Sequence, residues 1–152
     1  MKTLHKSVLT ALLITTALLG ASCRYDEGPG ISIYSPEYRI IGSWQINHCY
    51  LNGTEVDSTA YTANNSGNYY YIYADYVMSV MAYFNGEIRQ STFGTWYLQD
   101  NSKKLVLSFT LLGKKYSYTA DVKKLTRKEL NFEYDDADGN HWRLEFGSRS
   151  SY

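Results

Sequence analysis

Histidine and cysteine, which often act as metal ligands or reactive groups, are few in this 152-residue chain, which has three histidines and two cysteines. Its histidines are His5, His48 and His141, and Cys49 follows His48 directly. Adjacent side chains on a strand point to opposite faces of a sheet, so His48 and Cys49 are not expected to share a metal ion. We expect His48 to be a hydrogen-bonded histidine inside the fold or at its rim, Cys49 to be half-buried, and His141 to be exposed.

The acidic run Asp135–Asn140 is a second candidate, because carboxylate oxygens are calcium ligands. It contains a D-x-D-G fragment, but it lies between predicted strands and lacks the flanking helices of an EF-hand. A plain acidic hairpin turn is the preferred interpretation. The chain has no G-x-S-x-G, no G-x-x-x-x-G-K-[ST] and no H-E-x-x-H motif. The sequence therefore predicts no enzyme activity, no catalytic residues, no metal and no cofactor.

The N-terminus has the pattern of an export signal. Lys2 and Lys6 precede the apolar run Val8–Leu19, and small residues then lead into Cys23. This resembles a lipobox, with Gly20 where leucine is more usual. The resemblance implies that residues 1–22 are removed and that lipid on Cys23 anchors the protein to the outer membrane, on its periplasmic face or at the cell surface.

Two other interpretations of this segment stay open. One is an ordinary secretory signal that happens to be followed by a cysteine. The other is a retained transmembrane helix, which is disfavoured because the apolar run is shorter than the ~20 residues that a span needs.

The charge of the mature chain disfavours nucleic acid as a partner. Residues 1–22 contain two of the 15 basic residues and none of the 15 acidic ones, so 13 basic side chains remain against 15 acidic. That balance provides no excess of positive charge to bind a phosphate backbone. With Cys23 acylated, Cys49 is the only thiol, so no internal disulfide is possible; an intermolecular one stays open.

Residues 23–36 are predicted to be a flexible acidic tether. Asp26 and Glu27 are followed by Gly28, Pro29 and Gly30, a composition that is not expected to pack a core. About a dozen flexible residues would hold the remaining domain, residues 37–152, a few tens of Å from a bilayer. The two acids resemble the export signal of surface lipoproteins of Bacteroidetes, and a merely solvated tether explains them equally well.

The rest of the chain has the composition and the alternation of β-strands. All 16 tyrosines follow the signal, with three tryptophans and five phenylalanines, and aromatic residues are enriched in strands. Apolar and polar residues alternate most clearly from residue 104 onward, which is typical of antiparallel strands with one buried face. Residues Asn52–Asn68 are predicted to be a loop. The predicted strands are Arg39–Leu51, Tyr69–Ala74, Tyr76–Phe84, Glu87–Gln99, Lys104–Leu111, Lys115–Val122, Glu129–Asp135 and His141–Gly147.

Turn residues separate these strands. Asn85-Gly86 accepts the positive φ angles of a type I′ turn, and Leu112-Gly113 and Asp138-Gly139 also fall between strands. Gly94 predicts a bend or bulge within its strand. Eight sequential strands without a long helix most easily hide their edges by closure, so we predict an all-β, eight-stranded antiparallel up-and-down barrel. A two-sheet β-sandwich is the alternative.

Two segments resemble known proteins. Gly42-Ser43-Trp44 resembles the G-x-W of lipocalin-like barrels, in which the tryptophan closes the barrel floor. Gly94–Leu98, Lys104–Leu107 and the later Lys124-Leu125 and Glu129-Leu130 resemble the small lipocalin-like lipoproteins of Bacteroidetes. The match runs through about residues 39–147. It implies a fold and a lineage but no ligand residues, because the other motifs of classical lipocalins are absent.

Two functional hypotheses follow. In one, the barrel binds a small, largely apolar ligand inside. In the other, aromatic rings pack the interior, and the outer face or the loop Asn52–Asn68 binds an envelope protein or glycan as a non-catalytic interaction module. The outward tyrosines of Tyr69–Tyr73 are either such a surface or ordinary cross-strand packing. Large inward residues favour filling, so the second hypothesis is preferred. The inward residues that would contact a ligand are Trp44, Tyr116, Tyr118, Phe132 and Tyr134.

Overall fold

The computed structural model describes residues 25–28, 32–58, 68–84, 87–111 and 113–149. The predicted signal 1–22, the lipidation site Cys23, residues 59–67 of the predicted loop, the Asn85-Gly86 turn and Leu112 lie outside these residues. The described elements are one helix, α1 (Pro36–Ile40), and nine strands: β1 (Gly42–Leu51), β2 (Thr54–Val56), β3 (Asn68–Ile72), β4 (Val77–Phe84), β5 (Glu87–Gln99), β6 (Lys104–Leu111), β7 (Lys114–Leu125), β8 (Glu129–Asp135) and β9 (His141–Ser148).

Eight of the strands form a closed antiparallel barrel, as predicted. β1 pairs with β3, each later strand pairs with the next, and β9 returns to β1. This last pairing runs from Trp44 opposite Ser148 to Leu51 opposite Trp142, so the sheet has no free edge there and the sandwich alternative is wrong. The ninth strand, β2, lies within the predicted loop and pairs only with β1.

Helix α1 replaces the start of the predicted first strand. Pro36 occupies the first helical turn, and the Ser35 hydroxyl accepts a hydrogen bond from the Tyr38 amide at 3.2 Å. Ile40 is buried, and its carbonyl accepts a hydrogen bond from the Trp44 indole at 2.8 Å. We call this the closed end of the barrel, which also carries turns 73–76, 100–103 and 126–128. The opposite, open end carries turns 52–53 and 136–140 and the hairpin joining β6 to β7.

A bulge reverses the predicted faces in the second half of β1. The register between β1 and β9 shifts at Asn47, so that Cys49 points inward while His48 and Tyr50 point outward. Alternation continued from the buried Trp44 and Ile46 predicts His48 and Tyr50 on the inner face. A Cβ atom on Gly147, in the facing strand, would lie 2.5 Å from the side-chain nitrogen, Nδ2, of Asn47. Glycine at 147 therefore leaves the space that Asn47 occupies.

Gly94 allows β6 to lie close to β5 and does not form a bulge. It pairs regularly with Met78 on one side and Phe109 on the other, and the β4–β5 irregularity lies after Ala82 instead. A Cβ atom at Gly94 would collide with the Ser108 carbonyl oxygen and approach the Phe109 Cβ to 2.6 Å. The prediction of a bulge there is wrong because glycine was needed for the approach of β6.

The prediction of a flexible tether over residues 23–36 is wrong for residues 25–28. Tyr25 is only 3% exposed, and its hydroxyl donates to the Ser102 carbonyl at 3.1 Å. The Glu27 amide donates to the Lys123 carbonyl at 2.9 Å. The composition of this segment predicts solvated residues, whereas a closed-end turn binds Tyr25 and the barrel wall binds Glu27.

The inward faces of the later strands agree with the alternation. In β6, for example, Leu105, Leu107, Phe109 and Leu111 are all buried. Tyr70 and Ile72 of β3 are also buried, so the other tyrosines of that run lie on the outer side. The core is therefore the barrel lumen, and it is rich in aromatic rings.

Candidate functional site

Aromatic rings from opposite walls meet in the middle of the lumen. The Tyr70 ring on β3 lies edge-on to Phe109 on β6 and to Phe146 on β9, with centroid distances of 5.7 and 5.1 Å. Phe146 in turn stacks on Phe132 at 5.3 Å. Two strands, β4 and β5, separate β3 from β6 in the sheet, so these contacts span the barrel. At this level the rings occupy the space that an interior ligand would need.

A cavity of about 210 Å³ lies at the open end, above this ring layer. β7 pairs with β8 only from Asp121 to Leu125, so its first half diverges from the β8–β9 hairpin. The cavity occupies the resulting opening. Its walls are the start of β7, the end of β8 and the turn that follows, together with Trp142.

Two parallel tyrosine rings form the apolar wall of this cavity. Tyr118 and Tyr134 stack with centroids 3.9 Å apart and planes inclined by only 5°. Nearby, the Lys114 ammonium lies 5.2 Å from the centre of the Tyr116 ring, which places a cation against its π face. Burial raises the pKa of the Tyr116 hydroxyl above its ordinary value.

Asp136 organises the polar wall. Its Oδ1 accepts hydrogen bonds from the Asp138 and Asn140 amides at 2.9 Å, and its Oδ2 accepts one from the Trp142 indole at 2.9 Å. Desolvation raises the pKa of Asp136, but these hydrogen bonds outweigh it and bring the pKa to about 2. The carboxylate therefore shapes the turn and fixes Trp142 in the cavity wall.

The structure brings together three of the five residues predicted to contact a ligand. Tyr116, Tyr118 and Tyr134 line the open-end cavity. Phe132 lies lower, in the ring layer, and Trp44 is buried at the closed end, so neither belongs to this site. Trp142 lines the cavity but is missing from the predicted set. The alternation of apolar and polar residues in β9 predicts that Trp142 points inward. Its position opposite Tyr134 follows from the pairing of β8 and β9 across the Asp138-Gly139 turn.

His48 and Cys49 both follow the bulge in β1 and point to opposite faces of the sheet, so their environments are unrelated. A 2.7 Å hydrogen bond joins the His48 ring to the Glu55 carboxylate on β2, and this bond raises the pKa of His48. Cys49 is buried in the barrel wall, and burial raises the pKa of its thiol to about 11. A thiol with that pKa stays protonated at neutral pH and is a poor nucleophile.

His141 lies on the outer side of the open end, as predicted, with its Nδ1 2.7 Å from the Asp135 carboxylate. The acidic turn beside it is held by the hydrogen bonds of Asp136 described above. Within the described ranges, no cluster of three or more histidine, cysteine, aspartate or glutamate side chains has the arrangement of a metal site.

A second hollow, of about 370 Å³, lies on the outer wall and centres on Arg143. The guanidinium donates two hydrogen bonds to the Glu27 carboxylate, at 2.7 and 2.8 Å, and further hydrogen bonds to Glu133 and Glu145. The hydrogen bonds with Glu27 are the largest cause of the raised pKa of Arg143. Here the barrel binds its own N-terminal segment.

No protein-family model matches this chain, and no curated protein matches its sequence. Among the described residues, no helix combines the length and the apolar character that a membrane span requires.

Proposed function

We propose that this chain is a lipoprotein of the cell envelope whose barrel is a non-catalytic interaction module. Lipid on Cys23 holds it to the outer membrane, on the periplasmic face or at the cell surface. The support for the anchor is the order of charged, apolar and small residues before Cys23. A lipocalin-like lineage in Bacteroidetes is part of the same proposal and rests on the motifs around Trp44 and Trp96.

The observation that carries the interaction role is the ring layer of Tyr70, Phe109, Phe132 and Phe146. Because rings from opposite walls are in contact, a ligand at that level would have to displace several buried aromatic side chains. Each such side chain contributes ~3–5 kcal/mol to stability when it is buried. Recognition is therefore assigned to the surface and to the open end, with an envelope protein or glycan as partner.

The non-catalytic part of the proposal rests on the ionisable groups. An acid or base catalyst needs a tuned pKa and a free path to substrate. Asp136 accepts hydrogen bonds from two amides of its own turn and from the Trp142 indole, and Arg143 is hydrogen-bonded to three carboxylates. The described histidines, His48 and His141, each lie against a carboxylate on the outer surface. These arrangements favour structural roles.

Native mass spectrometry of the protein extracted from its own envelope tests this proposal, with Cys23→Ser as the matched variant. We expect the parent to carry the mass of the acyl groups, to sediment with membranes after a salt wash and to retain no small molecule. The Cys23→Ser chain should lack the acyl mass and remain in the soluble fraction, because lipid contributes ~0.8 kcal/mol per buried CH₂. An unacylated parent, or a membrane-bound Cys23→Ser chain, would contradict the anchor.

A second candidate function is the binding of a small ligand at the open end, which the 210 Å³ cavity favours. The stacked Tyr118 and Tyr134 offer a flat apolar wall, and Lys114 and Asp135 offer charges at the rim. If the extracted protein does retain a small molecule, Tyr118→Ala should release it. Thr110→Ala, on the exposed side of β6, is the matched control and should leave the molecule bound.

A further inference from the structure

The N-terminal segment is fixed to the barrel almost from its first mature residue. Tyr25 is buried, its hydroxyl is bonded to Ser102 in a closed-end turn, and the Arg39 guanidinium lies 5.4 Å from its ring centre. Two residues later, Glu27 forms two bonds with Arg143. The first described residues of the chain therefore lie at the closed end of the barrel and on its adjoining wall.

This position limits how far the barrel can move from a lipid on Cys23. Only one residue separates Cys23 from Tyr25, and a chain extends by at most ~3.6 Å per residue. The Cα atoms of Cys23 and Tyr25 therefore lie within about 7 Å of each other. An anchor at Cys23 would hold the closed end next to the bilayer, with no tether between them.

The closed end has the exposed residues that such a position requires. Of the eight large hydrophobic residues that the described part of the chain exposes, six lie at this end, and the other two are on β5. Ile33 is 89% exposed, Tyr76 61% and Tyr38 51%. We call these six residues the closed-end patch: Ile33, Tyr34, Tyr38, Ile41, Tyr73 and Tyr76.

Tyrosine is suited to the boundary between lipid and water, because its ring is apolar and its hydroxyl is polar. Tyr34 and Tyr38 stack on each other at 5.0 Å, and the Arg127 guanidinium lies within 5.6 Å of both ring centres. Charges of both signs surround the patch, including Asp75 and Lys128, so its attraction to a membrane does not depend on anionic lipid.

We propose that the closed-end patch lies in the headgroup region of the bilayer that holds the lipid of Cys23, so that the open end faces away from the membrane. This inference rests on the proposed lipidation of Cys23. It assigns to the patch one partner, a lipid bilayer surface. It also gives the barrel a fixed orientation, in which the open-end cavity is accessible to partners from the aqueous side.

Spin-label accessibility in vesicles tests this orientation. The lipidated full-length chain carries Cys49→Ala and one nitroxide, at Ile33→Cys or, as the matched control, at Asp138→Cys in the exposed open-end turn. The protein is reconstituted into phosphatidylcholine vesicles. We expect the label at position 33 to collide several-fold less often with a water-soluble nickel chelate than the label at 138, and more often with oxygen, which concentrates in lipid.

Equal exposure of the two labels to the nickel chelate would overturn the proposal. Dipolar broadening between labels at position 33 would also overturn it, because a second copy of the chain would then cover the patch. A label at Tyr76→Cys repeats the measurement on another closed-end turn if the first variant does not fold. Failure of the anchor itself is distinguishable: an unacylated Cys23 would take up a second nitroxide, and the chain would wash off the vesicles.

Discussion

The two ends of the barrel use tryptophan in different ways. At the closed end, Trp44 and Trp96 are buried, and their indoles donate to the carbonyls of Ile40 and Tyr73 at 2.8 and 2.9 Å. At the open end, Trp142 is half-buried and donates to the Asp136 carboxylate in a turn. The comparison teaches that packing is concentrated at the closed end, whereas the open end is held by local hydrogen bonds around a cavity.

The largest expected effects test this difference. Trp44→Ala and Trp96→Ala should each lower the free energy of unfolding by ~3–5 kcal/mol, because each removes a fully buried ring. Trp142→Ala should cost less, ~1–2 kcal/mol, because its ring is only half-buried. Urea denaturation measures all three, with the exposed Lys115→Ala as a nearly neutral control. A cost for Trp142→Ala equal to that for Trp44→Ala would contradict the comparison.

A smaller effect is expected where the N-terminal segment meets the wall. The hydrogen bond with Arg143 lowers the pKa of Glu27 below its ordinary value of 4.5. A lowered folded-state pKa stabilises the protein above the unfolded pKa, and this contribution is lost as the pH falls through the folded value. Glu27→Gln should therefore cost about 1 kcal/mol or less at pH 7, since solvent partly screens the pair.

The pH dependence gives the matched measurement. The difference in unfolding free energy between the parent and Glu27→Gln should be constant above about pH 6 and should shrink as the pH falls below 4.5. Glu129→Gln, whose carboxylate pairs with Lys124 at the surface, is the control. A difference that grows on acidification would show that Glu27 is not held as an ion pair.

The smallest effect is expected for the histidines. His48→Ala with His141→Ala should change stability at pH 8 by no more than about 0.5 kcal/mol per site, because both lie at the surface. The hydrogen bond from Glu55 raises the pKa of His48, so its stabilising contribution is present below pH 6.5 and is lost as the pH rises through the folded pKa. The double variant should thus lose more at pH 5.5 than at pH 8. Thermal melts at both values measure this, and an equal loss would contradict it.

Alternation was sufficient to predict the barrel, because from β6 onward nearly every second strand residue is apolar and faces the lumen, with an interruption at the register shift after Val122 in β7. It was not sufficient in β1, where the bulge at Asn47 moves His48 outward and Cys49 inward. This register shift is defined by the pairing of β1 with β9, which are far apart in the sequence, so alternation within β1 does not predict it.

The candidate site was predictable only in part for a related reason. The predicted inward set contains Tyr116, Tyr118 and Tyr134, which line the cavity. It also contains Trp44 and Phe132, because alternation predicts the face on which a residue lies and not its height along the barrel axis. The binding of Glu27 to Arg143 joins residues far apart in the chain. Composition alone therefore predicted a tether where the structure has a docked segment.

The central claim is that aromatic rings fill the middle of the lumen, whereas space for a small molecule lies at the open end. Crystals pressurised with xenon test it most directly, because xenon enters apolar cavities that are otherwise empty. In the parent we expect no xenon between Tyr70, Phe109 and Phe146. In Phe146→Ala, which removes the central ring, we expect a xenon atom at that place. Xenon bound there in the parent would contradict the account.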